Sequence, residues 1–291
     1  MDITISFDGL AEVANNVLNK LSDAIGWVAN HDTPSRIATN TYIQDIQNSN
    51  YDPLTKAALI SNAKKTIKEY CNQTNVVGIA LQSVKPTANP NDIDDDWLSQ
   101  FMDKARLVSD SDFQILWGNI LAEECNVPNS VPKSLLHIME QMDKEMAMAF
   151  MAIASVSVYV DEECAFTPLI WEGKLEEYKE KFGITLDSLL NLQAIGLIET
   201  RLGPFTTGFS MTCSTVPITI HYFDEQYQMP VDVKDFGIGQ VVYTKAGSAL
   251  CRAVRPQKIN GFLAEYCIPQ WDAEILEKRT DVEQKNEEES N

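Results

Sequence analysis

TLDSLLNLQAIGLIET, residues 185–200, reads as a short helix running directly into a strand. The spacing predicts a helix from Leu186 to Ala194, ending near Gly196, and a strand over Leu197-Ile198-Glu199-Thr200. Upstream, Thr167 to Ile170 is a short apolar segment, and a helix from Gly173 to Phe182 is expected to stop at Gly183. Downstream come strand-like runs at Phe209–Thr212, Ile218–Phe223 and Gln240–Tyr243, after which Thr244 caps a helix through Ala253. A helix over residues 143–159, with Asp143 as its cap, precedes the set. Helix, strand, two helices, strand, long β excursion, strand and helix is the order of a winged helix with an enlarged wing. The fold class expected is therefore mainly α with a smaller α+β part.

The rest of the chain reads as helices. Leu10, Val13, Val17, Leu21, Ile25 and Val28 follow helical spacing, and Ile37 to Ile46 forms a short helix. A long helix opens at Pro53, where the missing N–H of proline costs nothing. Pro86 and Pro90 mark a linker. The central text, residues 91–142, carries Ile93-Asp94-Asp95-Asp96-Trp97-Leu98, then Phe101, Ala105, Ser109-Asp110 and Trp117. Asp95 or Asp96 is expected to cap one helix, and Ser109 with Asp112, or Ser111 with Gln114, has capping-box spacing for the next. Trp97, Phe101, Phe113 and Trp117 should share one apolar cluster. These readings divide the chain into residues 1–90, 91–142, 143–256 and 257–291, the last a helix with an acidic tail expected to be disordered from about residue 278.

Charge narrows the function. The chain has 291 residues and a net charge of −19. Residues 91–142 hold 10 acids against 3 bases, and residues 143–256 hold 15 against 9. A field of that sign repels nucleic-acid backbones and anionic membranes. The helix Leu186–Ala194 stands where a winged helix would read DNA, yet it carries no Lys or Arg. Its polar residues Thr185, Asp187, Ser188, Asn191 and Gln193 suit a protein surface and are the interaction candidates. A protein partner or self-association is expected, and nucleic acid is not.

The six cysteines are widely spaced, with no CxxC unit, and read as buried thiols in a reducing cytoplasm. No signal peptide or membrane span is expected. His31, His137 and His221 lie far apart, so no zinc site and no other cofactor is expected. Gly208-Phe209-Ser210 does not continue into a nucleophile elbow, and Gly237-Ile238-Gly239 lacks the third glycine of a dinucleotide loop. Glu177-Tyr178-Lys179 has nuclease-like spacing but a helical context. Asp94, Asp95, Asp96, Asp110, Asp112, Glu123 and Glu124 could converge on a hard cation. Helix capping explains the aspartates more simply.

Residues 93–124 resemble a bacterial domain-of-unknown-function family, numbered 2806. The resemblance rests on Asp95, Asp96, Trp97, Phe101, Ala105, Ser109, Asp110, Gln114, Trp117 and the run Ile120-Leu121-Ala122-Glu123-Glu124. A looser likeness extends over nearly the whole chain. The family implies no reaction. Trp117-x-x-Ile120-Leu121-Ala122 is also similar to a segment of abortive-infection proteins, which implies a phage-defence or mobile-element setting. The chain departs from the family pattern at Glu124-Cys125, where a Gly/Pro-rich turn is expected. The reading is a non-enzymatic interaction protein on a winged-helix platform. The alternative is a nucleic-acid-binding regulator using the same module.

Overall fold

A computed structural model describes residues 7–28, 36–160, 165–203, 206–213 and 217–275. The acidic tail from residue 278 and His31 lie outside the described residues. The chain divides into two compact units, Met1–Leu136 and His137–Asn291. The described residues are mainly helical, with a smaller antiparallel β portion.

The first unit is helical. It contains α1 (Phe7–Ile25), α2 (Arg36–Asn48), α3 (Pro53–Leu81), α4 (Asp95–Ala105) and α5 (Ser111–Asn126). Helix α1 buries Val13, Val17 and Leu21, a stripe with four-residue spacing. Asp52 caps α3 by accepting the Leu54 and Thr55 N–H groups, with Pro53 at the first helical position. Helix α3 runs unbroken for 29 residues and packs along α5. Gly118 permits that approach: a Cβ there would stand 2.6 Å from Cγ2 of Ile79.

The caps of α4 and α5 differ from those expected. Asp94, not Asp95 or Asp96, is the cap of α4 and accepts the Trp97 N–H at 2.7 Å. Asp95 and Asp96 occupy the first turn, where their charge faces the positive end of the helix. Helix α5 is capped by Asp110, which accepts from Asp112 and Phe113, rather than by Ser109 or Ser111. In both helices the cap is the aspartate whose backbone is still extended, so its carboxylate can fold back over the open N–H groups. Helix α6 (Lys133–Gln141) spans the boundary between the units.

The second unit opens with α7 (Lys144–Ser155), capped by Asp143. This helix stops short of the expected residue 159. Residues 157–160 form β1 (Ser157–Val160) instead. Valines at 156, 158 and 160 alternate with Ser157 and Tyr159, a period of two that suits a strand. Then follow β2 (Ala165–Pro168), α8 (Leu175–Phe182), α9 (Leu186–Ala194) and β3 (Ile198–Thr200). Helix α8 ends at Gly183, which is left-handed with φ 71°. The remaining elements are β4 (Phe209–Thr212), β5 (Thr219–Tyr222), β6 (Glu225–Gln228), β7 (Asp235–Gly239), β8 (Val241–Tyr243) and α10 (Lys245–Ala253).

Three antiparallel sheets result. One has the order β2-β1-β5-β6; the others are the ribbons β3-β8 and β4-β7. Strand β6 (Glu-Gln-Tyr-Gln) has no clear apolar alternation in the sequence and gains its form from pairing with β5. Thr244 caps α10 and donates to the Gly196 carbonyl at 2.7 Å. That contact ties the start of α10 to the end of α9. Gly247 lets α10 approach β3, since a Cβ there would lie 1.9 Å from the Leu197 oxygen. Residues 262–267 form one π-helical segment that continues as helix through residue 275. Phe262, Tyr266 and Trp271 are buried, and Trp271 donates its indole N–H to Gly237 at 2.9 Å. No helix among the described residues is long and apolar enough to cross a membrane.

Candidate interaction surface

Helix α9 is built by a local device. The Thr185 side chain accepts from the Ser188 N–H, and Ser188 Oγ accepts from the Thr185 N–H, which closes a capping box. Leu189 and Leu192 are fully buried beneath the helix. The chain then turns through Gly196 into β3, which pairs with β8 through Ile198–Tyr243, Glu199–Val242 and Thr200–Val241. Both ends of α9 are thus fixed.

The polar candidates serve two purposes. Thr185 and Ser188 are occupied in the cap, and Gln193 Oε1 accepts from the Thr200 N–H at 3.0 Å. Asp187 and Asn191 lie exposed on the helix. The residues missed by the polar reading are apolar. Leu186 is 48% exposed and Leu190 is 46% exposed, and with exposed Ala194 they form a ridge at four-residue spacing. Leucines at 186, 189, 190 and 192 span an arc of roughly 160° around the helix, and only Leu189 and Leu192 are buried.

Beside this ridge, α7 and α9 enclose a small cleft of about 40 Å³ lined by Asp143, Glu145, Met146, Ala149, Ser188 and Asn191. Its carboxylates, with Asp187, give this side of the unit a negative rim. The lysines of α8 are already engaged. Lys181 contacts Glu177 at 3.0 Å and the Tyr266 hydroxyl, and these partners push its pKa up. Lys174 donates to the Tyr266 carbonyl at 3.3 Å and lies over the Trp171 ring. Arg201 stacks on Phe209, 4.0 Å from the ring centre. In Glu177-Tyr178-Lys179, Tyr178 is buried and donates to the Leu169 carbonyl at 2.7 Å.

The central motif lies in the first unit. Trp97 stacks on Phe101 with ring centres 5.1 Å apart, and Phe101 meets Trp117 at 5.2 Å. Phe113 is half-buried and makes no ring pair with them. The reason is the roll of α5, which turns Gln114 rather than Phe113 toward α3. Gln114 donates to the Val108 carbonyl at 2.8 Å and to Asn72 at 3.3 Å, while Asn72 donates to the Arg106 carbonyl and to Ser109 Oγ. This buried polar seam fixes the corner between α4 and α5.

The acidic residues of the motif are dispersed. Asp94 pairs with Lys133 at 3.0 Å, and that lysine holds its carboxyl below the usual range. Asp95 pairs with Lys20. Glu124 is buried and accepts from the Asn129 N–H at 2.6 Å and the Val131 N–H at 2.9 Å. The turn expected at Glu124-Cys125 comes after the end of α5, and the Glu124 carboxylate holds it. No group of three or more His, Cys, Asp or Glu residues among the described residues is placed to hold a metal ion.

No curated protein and no solved structure matches the chain. A model of the family described as "Protein of unknown function (DUF2806)" matches residues 61–266, which takes in most of α3, the motif helices and the second unit into its π-helical segment. The chain belongs to the DUF2806 family.

Proposed function

We propose that this protein is a non-enzymatic interaction protein whose second unit is a winged-helix-like platform presenting α9 to a protein partner. The single observation that carries the reading is the α9 ridge: Leu186, Leu190 and Ala194 exposed on a helix without Lys or Arg. Three apolar residues on successive turns of one helix make a continuous strip whose cover by a partner would be favourable. The winged-helix reading is supported by the order α7, β1, β2, α8, α9, β3, β8 and by the long excursion between the two strands of the β3-β8 ribbon. In that arrangement α9 has the position of a DNA-reading helix. Its charge opposes the use, since DNA affinity scales with the phosphates that Lys and Arg neutralise.

Asp187, Asp143 and Glu145 favour a partner with basic residues around an apolar contact. A second copy would set like charges against each other. A phage-defence or mobile-element setting is part of the same proposal.

The test compares the full chain with a Leu186→Asp/Leu190→Asp variant of equal melting temperature. Partners captured from the native host are quantified, and both proteins are titrated with mixed-sequence duplex DNA. The expected result is one stoichiometric protein lost in the variant and no DNA binding at physiological salt. Tight DNA binding that weakens steeply with salt, or an unchanged partner set, would overturn the reading.

A further inference from the structure

Helix α3 carries one face through two settings. Toward its C-terminal end Asn72, Val76 and Ile79 lie against α5: Asn72 bonds to Gln114, and a Cβ on Gly118 would meet Ile79 and the Val76 carbonyl. The same three- and four-residue spacing runs back through Lys68, Lys65, Ser61, Ala58 and Leu54. All five are exposed, and Leu54 is 80% exposed. Helix α5 starts at Ser111 and bonds to α3 at Asn72 and Asn75. The stretch from Pro53 to Lys68, about 23 Å of helix, runs on past it. Its other side is covered: α2 packs on α3, and Ile60, Ala63 and Ile67 are buried or half-buried there.

The bare strip is basic in an acidic chain. Residues 53–70 hold four lysines and one acid, Glu69, whereas the chain holds 42 acids against 23 bases. Glu69 is engaged by Arg106 at 2.8 Å and touches Lys65 at 3.8 Å. Among the described residues Lys64 and Lys68 form no ion pair, and Lys65 is 69% exposed. The neighbouring acids have other places. Asp52 caps α3, Asp103 pairs with Arg106, and Asp45 lies on α2. Val28 is held by the Tyr70 hydroxyl, and Tyr70 stands nearly opposite Lys68 around the helix.

We propose that this strip docks an acidic amphipathic helix of a protein partner, laid along α3 in line with α5. Its carboxylates meet Lys64, Lys65 and Lys68, and its apolar turns meet Leu54 and Ala58. The spacing is that of a helix–helix seam, which α5 already uses further along the same face. Lysine stems pack along apolar surface while their charges stay in water, so the basic end of the strip contributes contact as well as charge. Three lysines neutralise too few phosphates for tight duplex binding in a chain of this net charge. One leucine on the strip offers little to insert into a lipid surface. The site is separate from α9 and does not depend on the reading given to that helix.

The test is fluorescence anisotropy of a labelled synthetic peptide, three repeats of Glu-Ile-Ala-Ala-Leu-Glu-Glu, titrated with the full chain. The comparison peptide has Lys in place of every Glu. Saturable binding of the acidic peptide at about 100 µM or tighter, with the basic peptide weaker by about tenfold or more, is expected. Lys64→Gln/Lys65→Gln/Lys68→Gln keeps helix propensity and should weaken the acidic peptide by about tenfold at an unchanged melting temperature. Leu54→Gln, at a position already in water, should weaken it by about threefold without altering the salt dependence. The Leu186→Asp/Leu190→Asp variant should bind within about twofold of the parent chain. No saturable binding up to about 1 mM, equal affinity for the two peptides, or full binding in the lysine variant would each overturn the proposal. So would loss of binding in the α9 variant, which would place the peptide on α9. Tighter binding of a mixed-sequence DNA duplex or of phosphatidylserine vesicles through the same lysines would overturn it in favour of that anion.

Discussion

Gln114 donates its side-chain amide to the Asn72 oxygen 3.3 Å away, joining α5 to α3 inside the first unit across 42 residues of sequence. Asn75 donates to Gln114 Oε1 at 3.2 Å, and Gln114 also holds the Val108 carbonyl. The family motif is therefore a packing and hydrogen-bonding device around the α4–α5 corner.

Gln114→Ala should destabilise the fold by about 1–3 kcal/mol, because it leaves buried partners of the amide unpaired. Asn72→Ala should cost a similar amount, and the double variant less than the sum, since both remove one shared bond. Urea unfolding of the four proteins measures the coupling; strict additivity would contradict a shared seam.

The aromatic cluster predicts a contrast between neighbours in one helix. Trp117→Ala should cost about 3–5 kcal/mol, as expected for truncating a fully buried ring. Phe113→Ala should cost clearly less, because Phe113 is half-buried and makes no ring pair with the cluster. Thermal melting of the two variants checks the order.

The motif aspartates should separate by role. Asp94→Ala removes the cap of α4 and its ion pair with Lys133 and should lower the melting temperature. Asp96→Asn removes only a first-turn charge, and Asp95→Asn a first-turn charge together with the exposed pairing to Lys20; both should destabilise less than loss of the cap. Millimolar Mg²⁺, Mn²⁺ or Ca²⁺ should leave the melting temperature nearly unchanged, because an ion bound to the folded state must raise it. A saturable rise that Asp95→Asn abolishes would establish a metal site instead.

Glu124 gives a pH signature. Burial raises its carboxyl above the ordinary glutamate value, against the pull of the Val131 and Asn129 N–H groups. A group whose folded pKa is raised contributes stability below its unfolded pKa and loses it as pH rises through the folded value. Glu124→Gln removes this titration, and its amide turns a donor toward one of the two N–H groups. The cost of the substitution, measured by urea unfolding, should therefore be larger near about pH 5.5 than near about pH 8. A cost that grows with pH would reverse the assignment.

Much of the helical part was legible from residues close together in the chain. The opening of α3 at Pro53, the cap of α7 at Asp143, the stop of α8 at Gly183 and the cap of α10 at Thr244 follow from side chains that reach backbone groups within a turn. Which of several adjacent aspartates caps α4 was not legible, because the choice depends on where the backbone leaves its extended form. On α9, the absence of Lys and Arg and the polar candidates could be read directly. That Thr185, Ser188 and Gln193 are engaged within the fold, and that Leu186 and Leu190 face outward, depends on what the rest of the second unit covers.

The sequence by itself determined the charge, the helical periodicities and the local start and stop signals, since each depends on composition or on neighbours three or four residues away. Only the tertiary structure decided the fate of residues 157–160. Their valines suit either a helix end or a strand, and pairing with β5, about 60 residues downstream, selects the strand. Pairing with β2 on one side and β5 on the other sets Tyr159 between Phe166 and His221 and brings three separate positions into one aromatic row. Strand register is a long-range property, fixed by which face is buried, and no local pattern in β1, β2 or β5 contains it.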